Sequence, residues 1–231
     1  MVAGRLAKRA RGRPRDDSLP ERRREEILSA ATRLFAAEGF GGTDLQVVAD
    51  TLGVGKGTLY RYFPSKTDLF LAAVDRGMRM LREAVDAEST GPGEPLLKIG
   101  RAIGAYLRFF REHPELCELL ILERAEFRDR KTPTYFEHRR TNARRWHELY
   151  AGLIERGIMR EIAVERISET IGDLVYGTMF TNFFAGRKRQ PEQQAAEIVE
   201  LVFRGILTER GNREWAAARP RAGSEKSELE R

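Results

Sequence analysis

The 231-residue sequence is poor in the residues that build metal centres and covalent scaffolds: one cysteine and three histidines. The lone thiol, Cys117, excludes an intramolecular disulfide and any zinc site made from several cysteines, and it fits a reducing, cytosolic compartment. Long apolar runs are missing too. The longest, Leu69 to Val74, is far short of the roughly 20 residues that cross a bilayer. The first residues are basic with no apolar stretch behind them, so a secretory signal is not expected. Period-2 alternation and internal repeats are absent, which argues against strands and repeat arrays. What is abundant is charge, 33% of residues, beside a hydrophobic fraction of 41%. That combination fits a packed core under a highly charged surface, in one large domain or a small one joined to a larger.

The charge is unevenly placed. Residues 1–24 hold nine basic and three acidic side chains, which accounts for the whole net charge of +6. A basic end on a neutral body fits either a polyanion contact or a solubilising tail.

Residues 1–17 lack apolar periodicity and are expected to be a disordered basic arm. Order is expected from Ser18, where Ser18-Leu19-Pro20-Glu21 reads as a capping box. Ile27, Ala30, Ala31, Leu34 and Phe35 then mark one helix face, stopped by Gly39. Thr43-Asp44-Leu45-Gln46 reads as a second capping box before a short helix that Gly53 ends. A third short helix spans about 55–63, and a fourth runs from Ser65 to about Ala87. After a Gly- and Pro-rich break at 88–95, helices are expected at about 95–112, from Leu116, and at about 133–156, 164–184 and 191–207. Phe136, Ala143, Trp146, Tyr150, Leu153 and Ile154 are the expected inward face of the 133–156 helix. Residues 209–231 are charged and nearly non-periodic, and are expected to be disordered. The fold class is all-α.

Two short capped helices joined by a tight turn suit the B-DNA major groove, though such a pair is also common as plain packing. The residues of the pair are more specific. Thr43, Ala49, Gly53-Val54, Gly57-Thr58-Leu59-Tyr60, Phe63 and Ser65-Lys66 closely resemble the DNA-binding segment of the TetR/AcrR family of bacterial transcriptional regulators. Ala31, Leu34, Phe35, Gly39 and Phe40 extend the likeness over the first helix, so that it covers about residues 21–75. Gly55 departs from it, standing where the family usually has Ser, Ala or a similar residue.

Leu45, Val48, Ala49, Leu52, Val54, Leu59 and Phe63 would lock the two short helices together. Lys56, Gly57, Thr58 and Arg61 are then candidate base contacts: Lys56 can donate to guanine, Thr58 can meet a thymine methyl, and Gly57 lets the backbone approach the groove. Thr43, Tyr60, Tyr62 and Lys66 are candidate phosphate contacts, although half of the Tyr60 ring would also suit the core. In the arm, Arg11-Gly12-Arg13-Pro14-Arg15 resembles the core of AT-hooks, which makes Arg11, Arg13 and Arg15 candidates for an A·T minor groove.

Other constellations lead elsewhere or nowhere. Leu52 to Thr58 looks superficially like a phosphate loop, but Asp50 and Gly57 stand where a glycine and a hydroxyl residue belong, and no strand precedes it. His113 and Cys117 are separated by Pro114 and have no further ligands, so no metal site is expected. Glu118, Glu123 and Glu126 read as a solvated helix face. No catalytic set and no cofactor motif are found.

The resemblance divides the chain into the arm 1–17, a three-helix helix-turn-helix domain at 18–66, and a larger helical regulatory and dimerisation domain at 67–208 whose connecting helix is 67–87. The tail 209–231 follows. The resemblance also implies a dimer through the last two expected helices, with Gly172, Leu174, Gly177, Ile198 and Val202 at the interface, although a buried pair within one chain would look the same. It further implies a ligand pocket among the other helices. Tyr106, Phe110, Phe127, Phe136, Trp146, Tyr150, Tyr176 and Phe180 are pocket candidates that core packing would equally explain. His113, Asn142, His147, Asp173 and Asn182 could orient a ligand. The expectation is a cytoplasmic, nucleoid-associated, non-enzymatic homodimer: a repressor released from a palindromic double-stranded DNA operator by an unidentified small molecule. The alternatives are an effector-independent nucleoid-type binder and an enzyme using the helical domain.

Overall fold

A computed structural model describes residues 19–218; the arm with Arg11, Arg13 and Arg15, the Ser18 cap and residues 219–231 lie outside that range. Among the described residues ten helices follow in order: α1 (Leu19–Gly42), α2 (Leu45–Thr51), α3 (Lys56–Tyr62), α4 (Lys66–Ser89), α5 (Pro95–Glu112), α6 (Pro114–Glu126), α7 (Thr134–Glu155), α8 (Val164–Phe184), α9 (Pro191–Ile206) and α10 (Glu209–Ala218). No strand occurs among the described residues. One isolated bridge pairs Met159 with Leu207.

The expected stops act as chain chemistry dictates. Helical geometry in α1 breaks at Gly39, whose φ is 73°. Gly53, at φ 63°, makes the reversal between α2 and α3 in the left-handed region that side chains disfavour. Proline opens α5, α6 and α9, where its missing N–H costs no intrahelical bond.

Two hydrophobic cores organise the chain. The first unites α1–α4 with α6, the end of α5, and Tyr135 and Met179. The second unites the first half of α5 with the second half of α7, the first half of α8, and α9. Packing therefore does not break after residue 66: Ile27 and Phe35 of α1 share one core with Leu116 and Leu119 of α6. The partly buried Tyr106 packs against both cores.

Three expectations are corrected. Residues 209–218 form α10 rather than a disordered tail. The Trp215 ring meets Phe203 edge-on at 4.9 Å, and Gly211 lies so close to the Ile158 carbonyl that a Cβ there would sit 2.0 Å from its oxygen. One ring and one glycine dock this helix, too little to give a periodic apolar pattern. At the start of α7 the inward aromatic is Tyr135, 7% exposed, while Phe136 is 38% exposed; farther along, Tyr150 and Leu153 are buried at their expected positions. Glu123 is not solvated. It is buried, and its Oε1 accepts from Arg130 Nη1 at 2.9 Å, the Thr134 amide at 2.9 Å and the Thr134 hydroxyl at 2.7 Å. Its Oε2 is buried with no protein partner.

Candidate nucleic-acid interface and regulatory cavity

The α2–α3 pair is built from Leu45, Val48, Ala49, Leu59 and Phe63, all buried, with Leu52 and Val54 half-buried against them. The cap of α2 is Asp44 rather than Thr43: its carboxylate accepts from the Gln46 amide at 2.8 Å. That bond, followed by Lys56, holds the Asp44 carboxyl below the usual carboxylate range. Thr43 is withdrawn as a phosphate contact. It is 3% exposed, and its hydroxyl donates to the Gly39 carbonyl at 2.8 Å, inward across the end of α1.

The outward face of α3 carries Lys56, Gly57, Thr58, Tyr60 and Arg61, with Gly57, Tyr60 and Arg61 exposed and Lys56 and Thr58 half-buried. Lys56 Nζ lies 3.4 Å from the Asp44 carboxylate, so the cap of α2 also tethers the first side chain of α3. Tyr60 is free of the core. The ring that packs there is Tyr62, which lies under the Arg61 guanidinium at 5.7 Å. Lys66 donates to the Gly41 carbonyl at 3.1 Å and sits over the Phe40 ring at 5.1 Å, so it braces the turn before α2 besides adding charge there.

That turn is coupled to the rest of the molecule by rings. Phe40 meets Phe35, Phe70 and Phe127 at 5.9, 5.3 and 5.1 Å. Phe127 is the C-cap of α6 and leads into the loop that Glu123 pins. Phe127 is thus part of this aromatic cluster rather than of a pocket, and Phe110 is buried in the first core.

A cavity of about 660 Å³ lies between α4, α5, α7 and α8, bordered by both cores. Of the eight candidate aromatics, Tyr106, Trp146 and Tyr150 line it. Tyr176 and Phe180 line a separate surface hollow with Leu120 and Arg124. Among the polar candidates only Asn142 reaches the cavity. His113 faces Glu115 at 3.2 Å, Asp173 accepts from Arg139 and Asn182 pairs with Gln194. The sequence reading missed Arg82, Tyr135, His138, Arg139 and Arg145, all of which line the cavity. For α7 the signal was present: 135, 139, 142 and 146 are spaced as one helix face.

Tyr106 and Tyr135 share a hydrogen bond at 3.0 Å on the cavity wall. Burial pushes the Tyr135 hydroxyl up to about 12 and raises Tyr106 well above the ordinary phenol value, so both stay neutral at physiological pH.

The candidate interface residues divide. Leu174 is 41% exposed, and Gly177 is open to solvent. Ile198, only 7% exposed, is packed in the second core with Val202 against it, and Gly172 faces Arg139 of its own chain. Ile198 and Gly172 are therefore withdrawn as contacts between subunits. Phe184 and Leu201 are 69% and 74% exposed on the outer faces of α8 and α9. No helix among the described residues is long and apolar enough to cross a membrane.

A helical body carries a helix-turn-helix with an open second helix, and a cavity lies behind it. The family described as bacterial regulatory proteins, tetR family, matches residues 27–73. The chain is 32% identical over 116 residues to the HTH-type transcriptional regulator YerO of Bacillus subtilis, covering 49% of this chain and 40% of that protein. It is 31% identical over 98 residues to the HTH-type transcriptional repressor KstR of Mycolicibacterium smegmatis, covering 42% and 48%. The chain thus spans less than half the length of these curated relatives. The fold resembles that of the fatty acid degradation regulator FadR from Bacillus halodurans with a TM-score of 0.67 at 16% identity, covering 78% of this chain and 94% of that one.

Proposed function

We propose that this protein is a sequence-specific DNA-binding transcriptional repressor. It acts as a homodimer on a palindromic operator and is released by a small molecule in the cavity between α4, α5, α7 and α8. The observation that carries the reading is the division of α3: Leu59 is sealed in the core, while Lys56, Tyr60 and Arg61 stand on the open side. An open helix with donors in its first turns is suited to base edges in the major groove. Relatives with the same module are repressors by name, KstR among them.

One α3 helix reads too few base pairs to find a promoter, so a symmetric pair is needed. Leu174, Phe184 and Leu201 offer exposed apolar area on adjacent helices for that pairing. Release requires a ligand with different affinities for two conformations. The cavity borders both cores, and the Phe127–Phe40 contact at 5.1 Å is where a shift of α6 would reach the turn before α2. The cavity favours this reading over an effector-independent nucleoid binder, which would need none.

The test is selection of binding sites from a random DNA library, followed by affinity measurements. A palindromic consensus is expected. Lys56→Ala and Arg61→Ala should each relax the preference at one position per half-site, by roughly 1–3 kcal/mol for a good base contact. If the selected pool has no consensus, or both variants lose affinity uniformly for all sequences, α3 is not the reader.

A further inference from the structure

We propose that the cavity takes an amphipathic carboxylate, its anionic head on the α7 wall at Tyr135, Arg139 and Asn142 and its apolar body along α5 and α8. This rests on reading the cavity as the effector site, and it names the chemistry of the effector.

The two walls differ in kind. Ile99 and Ile103 of α5 and Ile171 and Val175 of α8 supply hydrocarbon. The α7 stripe supplies donors: a phenol, a guanidinium, an amide and the Trp146 indole. Tyr106 and Tyr135 bring two hydroxyl protons to one mutual bond, which leaves one proton for an outside acceptor.

The charges point the same way. Of the lining carboxylates, Asp86 pairs with Arg145, and Glu148 stands at the solvent-exposed rim beside Arg144. Arg82 lines the cavity and makes no ion pair with any described residue. Arg139 donates to Asp173 at 2.7 Å, but that carboxylate is 73% exposed and is screened by water. A cationic ligand would meet Arg82 and Arg139, with Glu148 out at the rim and Asp86 beside Arg145. A neutral hydrocarbon would lie against the Asn142 amide and the Trp146 indole without offering either an acceptor, which is costly. A carboxylate answers both, and a guanidinium can receive it through two parallel bonds.

Arg139 is also seated for the role. It lies across α8 at Gly172, where a Cβ would come within 2.6 Å of its guanidinium, and its Nη2 donates to the Glu169 carbonyl at 2.9 Å. At ~30 Å³ per water-sized group, 660 Å³ holds a chain of medium length with its head group.

The experiment uses the full chain without DNA, in a Trp215→Phe background that leaves Trp146 as the sole indole. Its fluorescence is titrated with dodecanoate, dodecanol and dodecyltrimethylammonium below their micelle concentrations. Dodecanoate should bind about tenfold tighter than dodecanol, and the ammonium weakest. Arg139→Gln should lower dodecanoate affinity about tenfold and leave dodecanol unchanged. Gly172→Ala should do the same with every charge in place, because it displaces Arg139; it also decides the matter if Arg139→Gln does not fold. Equal binding of acid and alcohol, tighter binding of the ammonium, no binding by any of the three, or an acid preference that survives both variants would overturn the proposal. Operator release is measured separately. Dodecanoate that binds with this preference but leaves DNA affinity unchanged removes the effector reading and keeps the carboxylate site; specific DNA binding without any carboxylate preference does the reverse.

Discussion

Removing the Glu123 carboxylate should loosen the joint between the cavity and the DNA-binding module. Glu123→Ala strands two buried donors, the Thr134 amide and hydroxyl, which now reach Oε1 at 2.9 and 2.7 Å. Arg130 suffers less, because it keeps Glu137 at 2.8 Å and some contact with water. At about 1–3 kcal/mol for each stranded buried donor, the loss should be about 3 kcal/mol. That is a large share of the roughly 5–15 kcal/mol that holds a domain of ordinary stability. Glu123→Gln keeps an acceptor but not its charge, and should cost about half as much. Thr134→Val removes only the hydroxyl and should cost about 1 kcal/mol. The double variant Glu123→Ala/Thr134→Val should lose less than the sum of its parts by about 1 kcal/mol, since the hydroxyl no longer needs a partner. Urea unfolding followed by circular dichroism gives all four values. A loss below 1 kcal/mol in Glu123→Ala, or strict additivity in the double variant, refutes the argument. Because the pinned loop begins at Phe127, which packs on Phe40 and Phe70, Glu123→Ala should also weaken the ligand's effect on DNA affinity more than it weakens DNA binding itself.

Three further outcomes are expected. Gly211→Ala puts a methyl 2.0 Å from the Ile158 carbonyl oxygen, a backbone atom that cannot step aside; α10 should detach while the rest stays folded, and a Trp215 emission that does not shift to the red would show the contact to be loose. Gly177→Arg and Leu201→Glu lie in open positions, so both should fold normally yet run as monomers in light scattering and fail on palindromic DNA; variants that remain dimers and bind normally place the interface elsewhere. Burial, then the Glu118 and Glu115 charges, pushes the Cys117 thiol from 9.0 up to about 12; its contribution to stability is therefore complete below pH 9 and is lost as pH climbs toward 12, and at pH 8 a thiol reagent should react only as fast as the protein unfolds, so rapid labelling of the native protein would contradict this burial.

The helices and their order were legible in the sequence because they rest on local rules. Glycine at 39 and 53, proline at 95, 114 and 191, and apolar spacing on one face act within a few residues of themselves. The helix-turn-helix was legible for the same reason: its core and its open face alternate along two short segments of chain. What needed the tertiary structure were facts about partners distant in sequence. Nothing in the residues near Glu123 says that Thr134 and Arg130 will close over it, and Ile198 and Leu201 sit on one apolar helix, yet only the position of α5 decides that the first is covered and the second left bare. The cavity is the clearest case. Its walls come from four helices, and only the packing of α4, α5, α7 and α8 brings Arg82, Arg139 and Arg145 to the border of one hollow. Helical periodicity tells which side of a helix is apolar; only the packing of several helices tells which polar groups end up bordering the same hollow.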